Sequence, residues 1–186
     1  MNAALLILRL VPGLLFMGHG LQKLVPARFS PGWLNATGPG PMAGFFEQMG
    51  LRPGFASVVL AGLGELAGGI LVAAGLVTPL GTVLLAAVMT TAILVVHLKK
   101  GIWSTNGGFE YPLVMLTAAY AVSALGPGSL SVDAWAGISN WDGIHWAAGN
   151  ADRAGAAVGI GVVAGLLTMA FGRMRIALDR RAPRPT

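Results

Sequence analysis

The sequence predicts an all-α transmembrane helix bundle, a four-helix core followed by a fifth apolar helix, on three observations. Hydrophobic residues make up 55% of the 186 and charged residues only 10%, against roughly 25% charged in an average soluble domain. Mean hydropathy is +0.72. Several apolar runs approach twenty residues with almost no charge, which a water-soluble core does not require. Lipid offers a peptide group no hydrogen bond, so helices are the expected way across.

The first run extends from about Ala3 to Val25, enough at about 1.5 Å per residue to cross roughly 30 Å of hydrocarbon. Its only early cation, Arg9, lies inside the apolar stretch rather than ahead of it, so the run reads as a retained span and not a cleaved signal peptide. Pro26 to Gly54 reads as a Pro- and Gly-rich connection, with Gly38-Pro39-Gly40-Pro41 a turn sequence rather than a nucleotide loop. Further runs lie at about Phe55 to Leu76, Pro79 to Leu98, Phe109 to Leu125, which is short, and Ala154 to Phe171. Between the last two, Ser139 to Gly149 with Trp141, His145 and Trp146 reads as a surface-lying segment, with His145 an interfacial anchor. Residues 1–134 form the expected core, and residues 135–186 an interfacial loop, the fifth helix and a basic tail.

Five spans put the connections after the first and third runs and the C-terminal tail on one side. Of twelve cations, that side collects all but Arg9 and Arg153, which places it in the cytoplasm by the positive-inside rule. The isoelectric point near 10.5 then calls for a lipid bilayer as partner, with the tail near anionic headgroups, and for no nucleic acid. Cysteine is absent. This closes thiol–quinone electron transfer through a redox Cys pair, and thiolate-ligated iron–sulfur clusters, to the chain acting alone. No metal motif is present, and heme would have to rest on His19 and His97 alone.

Chemistry is expected where ionisable groups enter the apolar runs, because such groups cost several kcal/mol in lipid and turn toward the protein interior. Arg9, Pro12, Phe16, His19 and Lys23 recur at spacings of three and four, one stripe along a helix. Glu65 stands near the middle of the second run beside Gly64 and Gly68, a small-xxx-small pair suited to close helix packing. A buried carboxylate there must be protonated or find a cation. Arg9, offset by about 9 Å in depth, is the natural candidate partner. His97, in the row of Thr90, ends the third run, and Asn106 and Glu110 open the fourth. With alternating spans, Lys23, His97, Asn106 and Glu110 fall at one membrane face, with His19 a turn deeper. Each has a plainer reading: Lys23 as a snorkelling cation, His97 as an interfacial hydrogen-bonding residue, Arg9 with Glu65 as a packing pair.

Leu8-Arg9-Leu10 and Gly18-His19-Gly20-Leu21-Gln22-Lys23, then Gly64-Glu65-Leu66-Ala67-Gly68-Gly69, His97, Asn106-Gly107-Gly108-Phe109-Glu110-Tyr111 and Gly126 to Asp133, taken in order and spacing, resemble the DoxX family of bacterial membrane proteins. The resemblance covers roughly Leu5 to Ala134. It implies a compact four-helix core in the bacterial cytoplasmic (inner) membrane, and relatives that include a subunit of thiosulfate:quinone oxidoreductase and members of redox-stress complexes with soluble partners. It also implies a cytoplasmic N-terminus, opposite to the charge count. The family's motif positions fall here on Arg9, Lys23, Glu65, His97, Asn106, Glu110 and Asp133.

The leading expectation is a membrane subunit of a quinone-linked oxidoreductase or redox-stress system, working with other oxidoreductase subunits or as a homo-oligomer. Glu65, His97 and Glu110 would exchange protons, and Arg9, His19, Lys23 and Asn106 would bind the quinone head group or a small oxyanion. The alternative is a non-catalytic scaffold or small-solute permease, in which the same charges hold helices together or line a path.

Overall fold

The computed structural model describes residues 2–138, 140, 141, 144, 145 and 149–181. The helices are α1 (Asn2–Leu24), α2 (Pro39–Gln48), α3 (Gly54–Ala74), α4 (Thr78–Ala92), α5 (Glu110–Leu125), α6 (Val132–Ala136) and α7 (Ala151–Arg181). A π turn, Ile93–His97, and a 3-10 turn, Leu98–Lys100, prolong α4. Among the described residues four stretches are long and apolar enough to cross a membrane, Asn2–Leu24, Gly54–Ala74, Thr78–Lys100 and Ala151–Asp179, and Glu110–Leu125 is a shorter apolar helix. The chain is an all-α transmembrane bundle. A pair of two-residue strands, Asn140–Trp141 and Ile144–His145, interrupts it.

Helices α1, α3, α4 and α5 form a closed ring, each packed on the next and α5 back on α1, and α7 lies outside against α4 and α5. At the centre Phe16, Val72, Leu85, Met89, Met115, Ala119 and Val122 form one buried cluster. Large apolar side chains face outward along every long helix, among them Ile7, Leu14, Leu60, Leu63, Val114 and Leu167, while Arg9 and Glu65 are buried. This inversion is what a hydrocarbon surround selects.

Glycines set the register between α1 and α3. A Cβ on Gly13 would stand 2.8 Å from the carbonyl oxygen of Gly69, and one on Gly20 would stand 2.7 Å from that of Gly62. Gly69 and Gly62 meet α1 just as tightly. Two glycines a heptad apart on each helix therefore bring the backbones together, with packing rather than water exclusion as the driving force. Gly64 and Gly68, the pair singled out from the sequence, face Val88 and Leu85 of α4 instead. Glu65 between them is turned to α1.

Three features differ from the sequence expectation. The Pro-rich connection contains helix α2, which the prolines do not break because Pro39 occupies its first turn, where a missing N–H costs nothing. The row running from Thr90 to His97 is interrupted by the π turn, whose extra residue rotates the segment beyond it about the axis. The fifth helix is longer than its apolar run, and it traverses the whole bundle: Gly161 abuts Ala86, Gly165 abuts Ala87, and Gly172 abuts the Gly50 carbonyl near the start of α3. Trp146 and Arg184 lie outside the described residues, as do the side chains of Trp141 and His145.

Candidate functional site

The α1 stripe faces inward, with Arg9, Pro12, Phe16 and Gly20 buried. The residues it carries part company at opposite ends of the bundle. Lys23 Nζ stands 2.6 Å from Glu65 Oε2, with side chains only 15% and 5% exposed. It also donates to the carbonyl of His19, at 3.3 Å. The glycine register causes this pairing, because it sets Glu65 beside the last turns of α1. Arg9, fourteen residues before Lys23 and so about 21 Å away along the helix, cannot reach Glu65, which corrects the pairing expected from depth alone. Its Nη1 donates to the carbonyl of Pro127 at 3.0 Å and to that of Ala74 at 3.5 Å. Nearby, both carboxylate oxygens of the buried Asp133 accept from Val77 N–H, at 3.2 and 3.0 Å. This second cluster ties the 126–136 connection to the far end of α1 and α3.

Around the Lys23–Glu65 pair a hydrogen-bonded group is assembled from three segments. His19 Nδ1 lies 3.2 Å from Gln22 Oε1, and His19 Nε2 lies 3.3 Å from the hydroxyl of Tyr111. Gln22 Nε2 donates to the Leu34 carbonyl at 3.0 Å. Next to this group is a cavity of about 530 Å³, whose polar lining includes His19, Lys23, Glu65, His97 and Tyr111. The rest of the wall is mostly apolar: Met42, Phe45 and Phe46 of α2 roof it, Leu60 and Ala61 belong to α3, and Leu84, Val88, Met89 and Val95 to α4 and the π turn. Phe45 and Leu60 are themselves exposed on the bundle's flank, so the cavity reaches the surface at the side.

His97 reaches the cavity from the π turn, and its Nδ1 lies 2.6 Å from the carbonyl of Gly107. Gly107 holds the left-handed conformation, φ 74°, that turns this carbonyl back toward α4. Glu110 is placed otherwise. Its Oε2 accepts from the Ser104 N–H at 2.9 Å and from the Ser104 hydroxyl at 2.6 Å, and it closes the 101–110 loop without lining the cavity. Asn106 is exposed at the end of a 3-10 turn. Of the seven residues named from sequence, the structure gathers His19, Lys23, Glu65 and His97 and leaves Arg9, Asn106 and Glu110 apart. Sequence reasoning misses Tyr111 and Gln22, although both stand inside the quoted motifs, directly beside Glu110 and Lys23.

Fold and site together define a multi-pass helical membrane protein with two buried polar clusters and a side-opening cavity. The chain belongs to the DoxX family, whose sequence model, described as DoxX, matches residues 4–98. That match takes in α1, α3 and α4, and hence Lys23, Glu65 and His97. CatD of Bacillus subtilis (strain 168), whose name marks it as a proposed oxidoreductase, is 36% identical over 115 residues, 62% of this chain and 74% of CatD. No solved structure matches the chain.

Proposed function

We propose that the protein is the membrane subunit of a quinone-linked oxidoreductase system of the bacterial cell membrane, and that the cavity beside Lys23 and Glu65 holds the quinone. The observation that carries this is the cavity's make-up: about 530 Å³, apolar over most of its wall, polar where His19, Lys23, Glu65, His97 and Tyr111 converge. Such a volume lies within the range of small-molecule sites, roughly 300–1,000 Å³. Its opening on the apolar flank suits a ligand that arrives through lipid with an apolar tail. The oxidoreductase named among the relatives fits the same reading.

A bound quinone would supply the electron and proton uptake that these side chains do not have of their own. Lys23 would supply positive charge beside the ring oxygens, held there by Glu65. His97 would accept the proton of a ring hydroxyl at Nε2, and Glu65 would exchange protons with the site. Arg9 and Glu110 have no part at the cavity in this reading. Arg9 anchors the opposite end, and Glu110 shapes the loop that holds His97. The charged end, with Arg28, Lys99 and Lys100, would face the cytoplasm.

The test is to purify the protein gently, extract it and identify co-purifying lipids by mass spectrometry, alongside menaquinone reduction in membranes. Quinone retained by the native chain, and reduction slowed at least tenfold by Glu65→Gln, are expected. No retained quinone together with unchanged reduction in Glu65→Gln refutes the proposal. The short, buried Lys23–Glu65 contact favours one other reading, a scaffold in which the pair only holds α1 to α3. Under that reading Glu65→Gln lowers stability and leaves reduction unaltered.

A further inference from the structure

For neutral imidazole rings, the hydrogen atoms of this site can be placed by elimination. A backbone carbonyl only accepts, so the Gln22 amide nitrogen must face Leu34, at 3.0 Å, and Oε1 must face His19. Oε1 also only accepts, so His19 carries its hydrogen on Nδ1, 3.2 Å away. In the neutral ring Nε2 then holds a lone pair, and the Tyr111 hydroxyl at 3.3 Å donates to it. Tyr111 thereby uses its one hydrogen, and what its oxygen has left to offer is acceptor capacity. The same reasoning applies to His97. Nδ1 donates to Gly107 at 2.6 Å, and Nε2, with no hydrogen-bond partner among the described residues, is an acceptor. Lys23, the one cationic donor among the polar residues lining the cavity, directs two of its three N–H groups to Glu65 and to the His19 carbonyl.

We infer that the cavity is built for an amphiphile that donates a ring hydroxyl, a hydroquinone or an alkyl phenol, with Tyr111 Oη and His97 Nε2 as its acceptors and Tyr111 as the specificity-determining residue. A ring bearing only carbonyl oxygens can take the remaining Lys23 N–H but leaves the lone pairs of Tyr111 and His97 unsatisfied. A ring hydroxyl satisfies at least one of them. Gln22 acts as a positioning residue, since it fixes the His19 tautomer and through it the direction of the Tyr111 hydroxyl. The inference rests on the cavity being the ligand site proposed above.

The experiment measures binding of three probes to the full chain in nanodiscs: a para-dodecylphenol, its methyl ether and an alkyl naphthoquinone of similar chain length. One hydrogen bond of about 1.4 kcal/mol corresponds to tenfold in affinity. The phenol is therefore expected to bind about tenfold tighter than the ether, and Tyr111→Phe is expected to remove most of that preference. Tyr111 is 40% exposed, so the variant should fold normally. Nitrogen-15 NMR of histidine-labelled protein should show His19 and His97 both protonated at Nδ1. Equal binding of phenol and ether, unchanged by Tyr111→Phe, overturns the inference, and naphthoquinone binding in that case leaves the quinone reading standing. Binding of none of the three overturns both. Histidine signals from Nε2–H tautomers at the two positions also overturn it. Binding of the phenol but not the naphthoquinone supports the inference and counts against the quinone reading.

Discussion

Replacing Lys23 with methionine keeps the bulk of the side chain and removes its charge, leaving the Glu65 carboxylate, 5% exposed, without its cation. Opposite unit charges at this 2.6 Å separation attract by about 6 kcal/mol at an effective dielectric constant near 20. Breaking a buried pair by removing one partner typically costs about 3–5 kcal/mol. An independent bound comes from neutralisation: protonating a carboxyl of ordinary pKa, about 4.3, at pH 7 costs about 3.7 kcal/mol, so the stranded anion cannot cost much more. Lys23→Met should therefore destabilise by about 3–4 kcal/mol. Glu65→Gln should cost less, about 1–2 kcal/mol, because the ammonium keeps the His19 carbonyl and has a flexible stem to carry it toward water. The double variant should cost less than Lys23→Met alone, about 2–3 kcal/mol, for a coupling of about 2–3 kcal/mol in a double-mutant cycle followed by SDS-titration unfolding in bicelles. A coupling below about 0.5 kcal/mol would refute the claim that these two residues hold one another.

Gly13→Val and Gly69→Val should each cost about 1–3 kcal/mol by the same unfolding assay, since each inserts atoms against the backbone of the facing helix, whereas Gly18→Ala, with nothing within 4 Å, should stay within about 0.5 kcal/mol. Asp133→Ala leaves Val77 N–H without its carboxylate and should cost about 1–3 kcal/mol. Its effect should add to that of Lys23→Met within about 0.5 kcal/mol, because the two clusters lie at opposite ends of α1, about 21 Å apart. Single cysteines at Arg28, Lys100 and Arg184 should all label from the cytoplasmic side in intact cells, and one at Arg153 from the other. Labelling at Arg184 from the side of Arg153 would refute the complete crossing by α7.

The spans are legible in the sequence because lipid imposes a simple rule, apolar length without charge, and Asn2–Leu24, Gly54–Ala74 and Thr78–Lys100 obey it within two or three residues. The end of the bundle that holds the cavity is legible too, since alternating span direction puts Lys23, His97 and Glu110 at one face whatever the packing. Rotation and register are not. Counting depth makes Arg9 a natural partner for Glu65, yet depth says nothing about which glycines nest against which, and that nesting chooses between Arg9 and Lys23. The π turn at Ile93–His97 is equally silent in a pattern of apolar residues. Helix α2 is hidden by its own prolines, which read as breakers when one of them starts the helix. Tyr111 escapes notice because an aromatic at an interface needs no explanation. Only its 3.3 Å approach to His19 gives it one.

The glycine register explains more than the pairing. Interlocked at two levels, Gly13 with Gly69 and Gly20 with Gly62, α1 and α3 cannot slide past each other without forcing backbone into backbone, so the positions of their charges are fixed together. The lower level brings Arg9 under the 126–136 connection, where carbonyls of Pro127 and Ala74 receive it. The upper level brings Lys23 to Glu65 at the cavity edge. One interlocked helix pair thus serves an anchoring cluster and a cavity-facing cluster about 21 Å apart. The cavity is roofed by α2, a short helix at the margin of the bundle. In the proposed reading, a ligand entering beside α2 would meet Lys23, Glu65 and His19 already placed by the glycine register. On the inference drawn above, such preorganisation would give a single oriented hydroxyl, that of Tyr111, leverage over which ligand the cavity accepts.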